Sequence, residues 1–178
     1  MAQRLPEKSS AVSILMKSKK SSLLWFVWLP VLMAIDQWTK WWMTQHLILG
    51  ESITLFPGLR LTLTHNYGVA FGMFNENVLL SRILLLGIAM AISIFLGVWL
   101  YRTPAKERLM GFSLTLILGG ALGNIIDRFM YGHVIDFIDV YYKTWHFWTF
   151  NIADSLITMG AFFMILELLF DREASKKP

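Results

Sequence analysis

The sequence contains no cysteine, and only 16% of its 178 residues are charged. The absence of cysteine excludes disulfide bonds, thiol nucleophiles and cysteine-ligated zinc sites. Soluble domains usually carry about 25% charged residues, so this chain lacks the polar surface that a water-soluble fold requires. Instead, 56% of its residues are hydrophobic and 15% are aromatic. These proportions predict a membrane protein and exclude a disordered chain, a collagen or a coiled coil.

Apolar segments of bilayer length occur at four places along the chain. A helix needs about 20 residues to cross the hydrocarbon core of a membrane. The four predicted helices cover residues 23–43, 78–100, 109–126 and 152–170. They define one membrane domain, residues 23–170, with a basic tail at 1–22 and a short tail at 171–178. No small-residue cleavage site follows the first segment, which favours an uncleaved helix over a signal peptide.

The Lys and Arg residues are distributed unequally between the segments that connect these helices. Eleven of the 16 lie in the two tails and in the 101–108 loop, whereas three lie in segments 44–77 and 127–151. Cytoplasmic segments of membrane proteins carry such an excess. Both termini are therefore predicted in the cytoplasm, and segments 44–77 and 127–151 on the outer side. The net charge of +4 is then explained by topology, and no nucleic-acid partner is predicted.

The two outer segments have distinct patterns. Residues 53–63 alternate between apolar and other residues around Pro57 and Gly58, which predicts a short β-hairpin. Residues 137–150 contain seven aromatic side chains and are typical of a belt at the level of the lipid headgroups. The predicted fold is an all-α membrane bundle of four transmembrane helices with this hairpin on its outer side.

Five aspartates are expected near the outer rim of the bundle: Asp36, Asp127, Asp136, Asp139 and Asp154. Ionisable residues at membrane depth are costly and are candidates for function. Two facing carboxyl groups can share one proton, so that one activates water while the other polarises a peptide carbonyl. This chemistry requires no metal, thiol or serine. The spacing alone does not determine which two of the five face each other.

Structural explanations compete with catalysis for several of these residues. Asp36 and Lys40 have the i, i+4 spacing of an ion pair that lowers the cost of burying both charges. Asp127 and Arg128 are explained by the end of a helix, where they would tie down the following loop. Asp139 is expected in a solvated loop. The four histidines have no metal-ligand spacing, so neither a metal nor another cofactor is predicted.

Five short motifs follow one another along residues 23–170. They are Asp36-Gln37-x-Thr39-Lys40; Asn66-Tyr67-Gly68-Val69-Ala70-Phe71-Gly72; Gly119-Gly120-Ala121-x-Gly123-Asn124-x-x-Asp127-Arg128; Gly132-His133-Val134-Ile135-Asp136-Phe137; and Phe150-Asn151-x-Ala153-Asp154-Ser155. In this order they resemble the motifs of the lipoprotein signal peptidases, a bacterial family also called signal peptidase type two.

The resemblance implies an aspartic endopeptidase of the inner membrane, a globomycin target, with its active site at the outer face. The family removes the signal peptide from prolipoproteins and cleaves just before a cysteine that carries a diacylglyceryl group. The implied partners are these substrates and membrane lipid, and the enzyme is expected to be a monomer without a cofactor. The hairpin resembles the family's extracytoplasmic cradle, a small β-sheet with a flexible loop over the substrate.

The resemblance also assigns roles to individual residues. Asp136 and Asp154 would be the catalytic pair, with Asp36 and Lys40 as a structural polar pair. The residues assigned to substrate binding and support are Asn66, Gly68, Ala70, Phe71, Asn124, Asp127, Arg128, Asn151 and Ala153.

Physical reasoning supports some of these roles. The asparagines at 66, 124 and 151 can orient buried carboxylates through hydrogen bonds. The glycines at 119, 120 and 123 thin one helix and allow close approach of a neighbouring helix or of substrate. Phe71, Met73 and Phe74 would form an apolar cover over lipid, or else anchor the loop in the interface.

A proton-coupled membrane transport protein is the alternative function, since transporters also keep carboxylates within helices. Transporters hold them at mid-bilayer, often in repeated halves, and this sequence shows neither feature. A structural assembly factor is a third candidate, for which all five aspartates would be dispensable. The order of the motifs favours the peptidase.

Overall fold

The computed structural model describes residues 23–68 and 78–174. Within these ranges, four long helices and four strands follow one another along the chain. The helices are α1 (Trp28–His46), α2 (Val78–Arg102), α3 (Arg108–Tyr131) and α4 (Ile152–Ala174). The strands are β1 (Ser52–Phe56), β2 (Leu59–Asn66), β3 (Val134–Tyr142) and β4 (Trp145–His146). A helical turn at 23–26 precedes α1.

The strands form one small antiparallel sheet in the described part of the chain, in the order β1-β2-β3-β4. The hairpin predicted around Pro57 and Gly58 is confirmed as β1 and β2, and Gly58 supplies the positive φ of 96° that the turn requires. Strand β3 was not predicted, because its segment was interpreted only as an aromatic belt. This strand carries Asp136, which lies opposite Thr64 of β2.

Helix α3 is the central element of the bundle and contacts α1, α2 and α4. Glycines make this close packing possible, as the sequence indicated. A Cβ atom at Gly120 would collide with the carbonyl oxygen of Ala153 on α4, and one at Gly123 would collide with the carboxylate of Asp36 on α1. At Gly119, a Cβ atom would lie 2.8 Å from the side chain of Leu32.

The end of α3 differs from the prediction. The helix continues to Tyr131, beyond the expected end at residue 126, and stops where Gly132 adopts a left-handed conformation. The N–H of Gly132 donates to the carbonyl oxygen of Arg128, as in a typical glycine C-cap. Asp127 and Arg128 therefore lie within α3, with Arg128 in its last turn and Asp127 immediately before it.

Two apolar clusters are formed by buried residues in the described ranges. One joins α1, α2 and α3 and contains Leu29, Leu96, Leu100, Met110, Leu114 and Leu118. The other joins the end of α1 to the sheet and contains Met43, Leu47, Leu63, Ile135 and Phe137. The second cluster includes both neighbours of Asp136 and fixes that part of β3 against α1.

Three helices in the described residues are long and apolar enough to cross a membrane, at Leu79–Arg102, Arg108–Tyr131 and Ile152–Phe170. Helix α1 is not among them, because polar residues interrupt it around Asp36 and Lys40. Both of these charged side chains are at most 1% exposed. The polar face of α1 is therefore turned into the bundle, while Trp38 and Trp41 on its surface are exposed.

Candidate active site

Asp154 lies in the first turn of α4 and takes part in a reciprocal cap of that helix. The N–H of Asp154 donates to Oδ1 of Asn151 over 2.9 Å, and the N–H of Asn151 donates to Oδ2 of Asp154 over 3.2 Å. This arrangement satisfies N–H groups that the start of a helix leaves without partners. It also fixes the Asp154 carboxylate at the positive end of the helix dipole.

Asp136 is brought to the same place by β3. Its side chain is 1% exposed and accepts two hydrogen bonds, from Nδ2 of Asn66 at 2.9 Å and from Nδ2 of Asn151 at 2.7 Å. Asn66 is held in turn, because its Oδ1 accepts the N–H of Gly68, which has a φ of 73°. The structure therefore places Asn66 and Gly68 beside Asp136, and Asn151 contacts both carboxyl groups.

Asn124 connects α3 to α4. Its Oδ1 accepts hydrogen bonds from Nζ of Lys40 at 3.0 Å and from Nδ2 of Asn151 at 3.1 Å. Two donors on this oxygen orient the amide so that Nδ2 faces Asp154, to whose Oδ1 it donates over 2.8 Å. The prediction that the asparagines at 66, 124 and 151 orient carboxylates is confirmed.

The environment of Asp136 favours its protonated form. Burial raises the pKa of Asp136 to about 6, and the charge of Asp154 acts in the same direction. Hydrogen bonds from Asn66 and Asn151 act against this shift in pKa. Asp136 therefore retains a proton at a pH where an ordinary aspartate has lost it.

A buried ion network lies behind these two carboxyl groups. Nζ of Lys40 is 2.7 Å from Oδ2 of Asp36 and 2.8 Å from Oδ2 of Asp127, so the predicted i, i+4 pair is confirmed. Oδ2 of Asp127 also accepts the N–H of Ile135 over 3.1 Å. Asp127 thus ties down the segment that follows α3, as expected.

Arg128 and Ala153 complete the surroundings of the site. The guanidinium of Arg128 is close enough to interact electrostatically with Asp154, Asp136 and Asp127, and it donates to the carbonyl oxygen of Asn124 over 3.4 Å. Ala153 is fully buried and packs against α3. Its small side chain lets α3 and α4 approach each other closely beside the site.

A cavity of about 550 Å³ opens beside Asp136. Its lining consists of Thr64, His65, Asn66, Tyr67, Gly68, Asp136, Trp148 and Thr149. The polar groups converge at Asp136, while rings supply the apolar walls, as in typical binding sites. Ala70 and the predicted apolar cover with Phe71, Met73 and Phe74 lie outside the described residues.

The expectation that Asp139 is a solvated loop residue is wrong. Asp139 lies in β3, is 3% exposed, and binds Arg60 and His146 in ion pairs and Thr62 in a hydrogen bond. The reason is the pairing of β3 with β2, which places Arg60 opposite Asp139. Burial acts to raise the pKa of Asp139, but the hydrogen bonds from His146 and Arg60 outweigh it and hold the pKa below its ordinary value.

Sequence reasoning did not assign roles to Gln37 and to two histidines. Nε2 of Gln37 donates to Oδ1 of Asp127 over 2.7 Å and to the carbonyl oxygen of Gly123 over 3.2 Å. Its position next to Asp36 in the first motif was the available signal.

His65 and His133 stack with ring centroids 3.9 Å apart, and burial lowers the pKa of His133. Among the described residues, no group of His, Asp and Glu is arranged to hold a metal ion.

The sequence matches a known protein family along most of its length. A family model described as signal peptidase (SPase) II matches residues 28–170. The chain belongs to the signal peptidase II family. A lipoprotein signal peptidase of Coxiella burnetii (strain Dugway 5J108-111) is 42% identical over 165 residues, which are 92% of this chain and 100% of that protein. The lipoprotein signal peptidase of Yersinia enterocolitica is 45% identical over 148 residues, 83% of this chain and 88% of its own length.

The fold agrees with this assignment. A solved structure described as a bacterial membrane enzyme, determined by the in meso method at 2.3 Å resolution, superposes with a TM-score of 0.74 at 30% identity. The match covers 89% of this chain and 93% of that chain. Apolar helices that could span a membrane and a small antiparallel sheet are thus features of this fold.

Family membership establishes the activity. The protein is an aspartic peptidase of the bacterial inner membrane that removes signal peptides from prolipoproteins. The prediction of this enzyme class from the ordered motifs is confirmed. The alternative function, proton-coupled transport, finds no support among the related proteins.

Proposed function

We propose that Asp136 and Asp154 are the catalytic pair of this peptidase. The observation that carries the proposal is the position of Asn151, a fully buried residue that hydrogen-bonds both carboxyl groups. Asn151 reaches the two carboxyl groups through different atoms, because its Nδ2 donates to Asp136 and its backbone N–H donates to Asp154. Two carboxyl groups held close together by one residue are suited to sharing a single proton.

Asp154 is the general base of the pair. Its carboxylate accepts hydrogen bonds from Asn124 and Asn151 and lies at the start of α4, where the helix dipole stabilises a negative charge. It removes a proton from water while the water oxygen attacks the carbonyl carbon of the scissile peptide bond.

Asp136 is the general acid. In its protonated form it donates to the carbonyl oxygen of the peptide, and its proton passes to that oxygen as the tetrahedral intermediate forms. When the intermediate collapses, the carbonyl re-forms and its proton returns to Asp136. The leaving nitrogen takes the proton held by Asp154, which restores both carboxyl groups.

The depth of this pair suits a substrate that is anchored in lipid. Asp136 follows the end of α3 and Asp154 lies at the start of α4, so both are at the ends of helices and not at mid-bilayer. The distribution of Lys and Arg favours an arrangement in which this end, with the sheet, faces outward and both termini lie in the cytoplasm. Helix α1 would then be the fourth transmembrane helix, with its polar residues buried in the bundle, in a membrane domain of residues 23–170.

The substrate is a prolipoprotein whose cysteine carries a diacylglyceryl group, and the bond before that cysteine is cleaved. The cavity beside Asp136 accommodates the chain around the scissile bond, with Tyr67 and Trp148 as apolar walls. Arg128 adds a positive charge near the pair. The enzyme is proposed to act as a monomer without a cofactor, as the resemblance of its motifs implies.

The test is cleavage of a synthetic prolipoprotein, with and without the diacylglyceryl group, by the purified protein in detergent. Asp136→Asn and Asp154→Asn should each lower kcat at least about 100-fold, the usual contribution of a general acid or base. Cleavage by the unaltered protein should persist with a chelator present. Asp139→Asn is the matched control, because this carboxylate lies on the same strand but bonds Arg60 and His146, and it should remain active. Retained cleavage in Asp136→Asn or Asp154→Asn would show that the assignment is wrong.

A further inference from the structure

Two carboxylates of the buried ion network hold the backbone beside the catalytic pair. Oδ1 of Asp36 accepts the N–H of Ala153 over 2.9 Å, and Ala153 immediately precedes Asp154. Oδ2 of Asp127 accepts the N–H of Ile135 over 3.1 Å, and Ile135 immediately precedes Asp136. Each catalytic residue is thus attached, through its preceding residue, to one carboxylate of the network.

Lys40 joins the two attachments. Its Nζ bonds Oδ2 of both Asp36 and Asp127, at 2.7 and 2.8 Å, and all three side chains are at most 1% exposed. The same Nζ donates to Oδ1 of Asn124, whose Nδ2 contacts Asp154. One ammonium group therefore connects the backbone before Asp136, the backbone before Asp154 and a side chain that bonds Asp154.

Stability alone gives little reason for this arrangement. Burying three charges is costly, and buried ion pairs are often no more stabilising than well-packed apolar residues of similar volume. The packing is nevertheless adapted to it, because a Cβ atom at Gly123 would collide with the carboxylate of Asp36. A role in geometry explains both the buried charges and the space left for them.

We propose that Asp36, Lys40 and Asp127 form a clamp that sets the distance between the two catalytic carboxyl groups, with Lys40 as its positioning residue. The inference rests on the proposed catalytic pair and adds how that pair is held. Asp36 extends from α1 to the start of α4, and Asp127 extends from α3 to the start of β3. Loosening the clamp lets β3 and the start of α4 move apart, so the carboxyl groups no longer share a proton.

The clamp predicts a change in the pH dependence of kcat, which a purely structural role does not predict. Two carboxyl groups that share a proton titrate in two steps with well-separated apparent pKa values, and the separation falls as the groups move apart. A loosened clamp should therefore narrow the bell-shaped pH profile of kcat. It should leave KM nearly unchanged, because the clamp lies behind the carboxyl groups and does not line the cavity. Besides Asp127, Arg128 is the charged side chain of α3 that interacts with the pair in the described residues. None of the variants below alters Arg128.

The experiment uses the full-length protein in detergent with the diacylglyceryl prolipoprotein as substrate. The principal variant is the double substitution Lys40→Met with Asp127→Asn, which removes one charge of each sign and leaves the net charge of the network unchanged. A second variant, Asp36→Asn, retains an oxygen for the N–H of Ala153 and loses only the charge that attracts Lys40. The control is Arg60→Met, which breaks the Arg60–Asp139 pair of the sheet and touches no residue of the clamp.

The expected result is a fall in kcat of about 10- to 100-fold, the effect of a displacement of about 1 Å at a reacting group. KM should change less than twofold, and the two limbs of the pH profile should approach each other. Arg60→Met should lower the melting temperature and leave the profile unchanged. A folded double variant or Asp36→Asn with the unaltered kcat and pH profile would overturn the clamp, as would a lower kcat with limbs at their original separation.

The two proposals fail in distinguishable ways. If Asp136→Asn or Asp154→Asn remains active, the catalytic pair is wrong and the clamp has nothing to position. If both are inactive and the clamp variants retain the original pH profile, the pair stands and the clamp is wrong.

Discussion

The Cα atom of Gly120 on α3 faces the carbonyl oxygen of Ala153 on α4 so closely that no side chain fits between them. Ala153 precedes Asp154, so the two helices approach each other directly beside the proposed catalytic pair. This one contact between α3 and α4 therefore affects both the packing of the bundle and the position of Asp154, the proposed general base.

Replacing Gly120 tests this connection. In Gly120→Ala the new methyl group would collide with backbone atoms of Ala153, which cannot move without displacing α4. We expect a loss of kcat of about 100-fold through displacement of Asp154, and a lower melting temperature. The control is Gly87→Ala on α2, where a Cβ atom meets nothing within 4 Å and where alanine favours the helix by about 1 kcal/mol. Equal activity of the two variants would contradict the prediction.

The dependence of activity on pH should report the proton on Asp136. Because the pKa of Asp136 is raised to about 6, kcat should decline as the pH rises through this region and the acid loses its proton. Asn66 donates to the ionised carboxylate and opposes the rise in pKa, so Asn66→Ala should move the declining limb to higher pH, by about one unit.

Thr64→Val is the control for this shift. Thr64 hydrogen-bonds the backbone carbonyl oxygen of Asp136 and not its carboxyl group. In Thr64→Val the declining limb should therefore stay at its original pH, even if kcat itself changes. A shift to lower pH in Asn66→Ala would mean that the limb belongs to another group.

Asp139 should contribute to stability and not to catalysis. Its pKa is lowered in the folded protein, so its contribution is fully present above the ordinary pKa and is lost as the pH falls through the lowered value. Asp139→Asn should therefore reduce the free energy of unfolding at neutral pH by about 1–2 kcal/mol, since the partners Arg60 and His146 are partly exposed. Melting curves in detergent should show this difference at pH 7 and lose it in strong acid. A difference that grows with acidity would contradict the argument.

The proposed orientation can be tested by cysteine labelling, because the chain has no cysteine of its own. Thr144 and Lys106 are both exposed and lie at opposite ends of the bundle. A membrane-impermeant thiol reagent should label Thr144→Cys in intact spheroplasts and should label Lys106→Cys only after the membrane is opened. The reverse pattern would place the proposed catalytic pair on the cytoplasmic side.

Local features of the fold were predictable from the sequence. The Asp36–Lys40 pair and the Pro57–Gly58 turn depend on residues at most four positions apart, so their patterns are visible without tertiary contacts. The glycines of α3 also indicated close packing correctly, although the partner atoms of Gly120 and Gly123 could be identified only in the structure.

Features that depend on distant contacts were missed. Strand β3 pairs with β2, whose paired residues lie 68 to 81 positions earlier in the chain, and the aromatic content of β3 resembled an interfacial belt. Asp139 was therefore expected in solvent, although its partners Arg60 and Thr62 bury it. The same limit applies to the proposed catalytic pair, because spacing does not reveal that Asn151 contacts both Asp136 and Asp154. The ordered motifs, and not the physical pattern of the residues, pointed to these two.

The contribution of α4 has a consequence for biogenesis. Helix α4 follows all the other elements along the chain, and it supplies Asp154, while the residue before it supplies the side chain that bonds Asp136. In the proposed topology, a nascent chain with α1 to α3 already in the bilayer holds Asp136 without Asp154 and Asp36 without the N–H of Ala153. On the proposed assignment such an intermediate lacks one of the two catalytic carboxyl groups, so peptidase activity should appear only after α4 has been inserted.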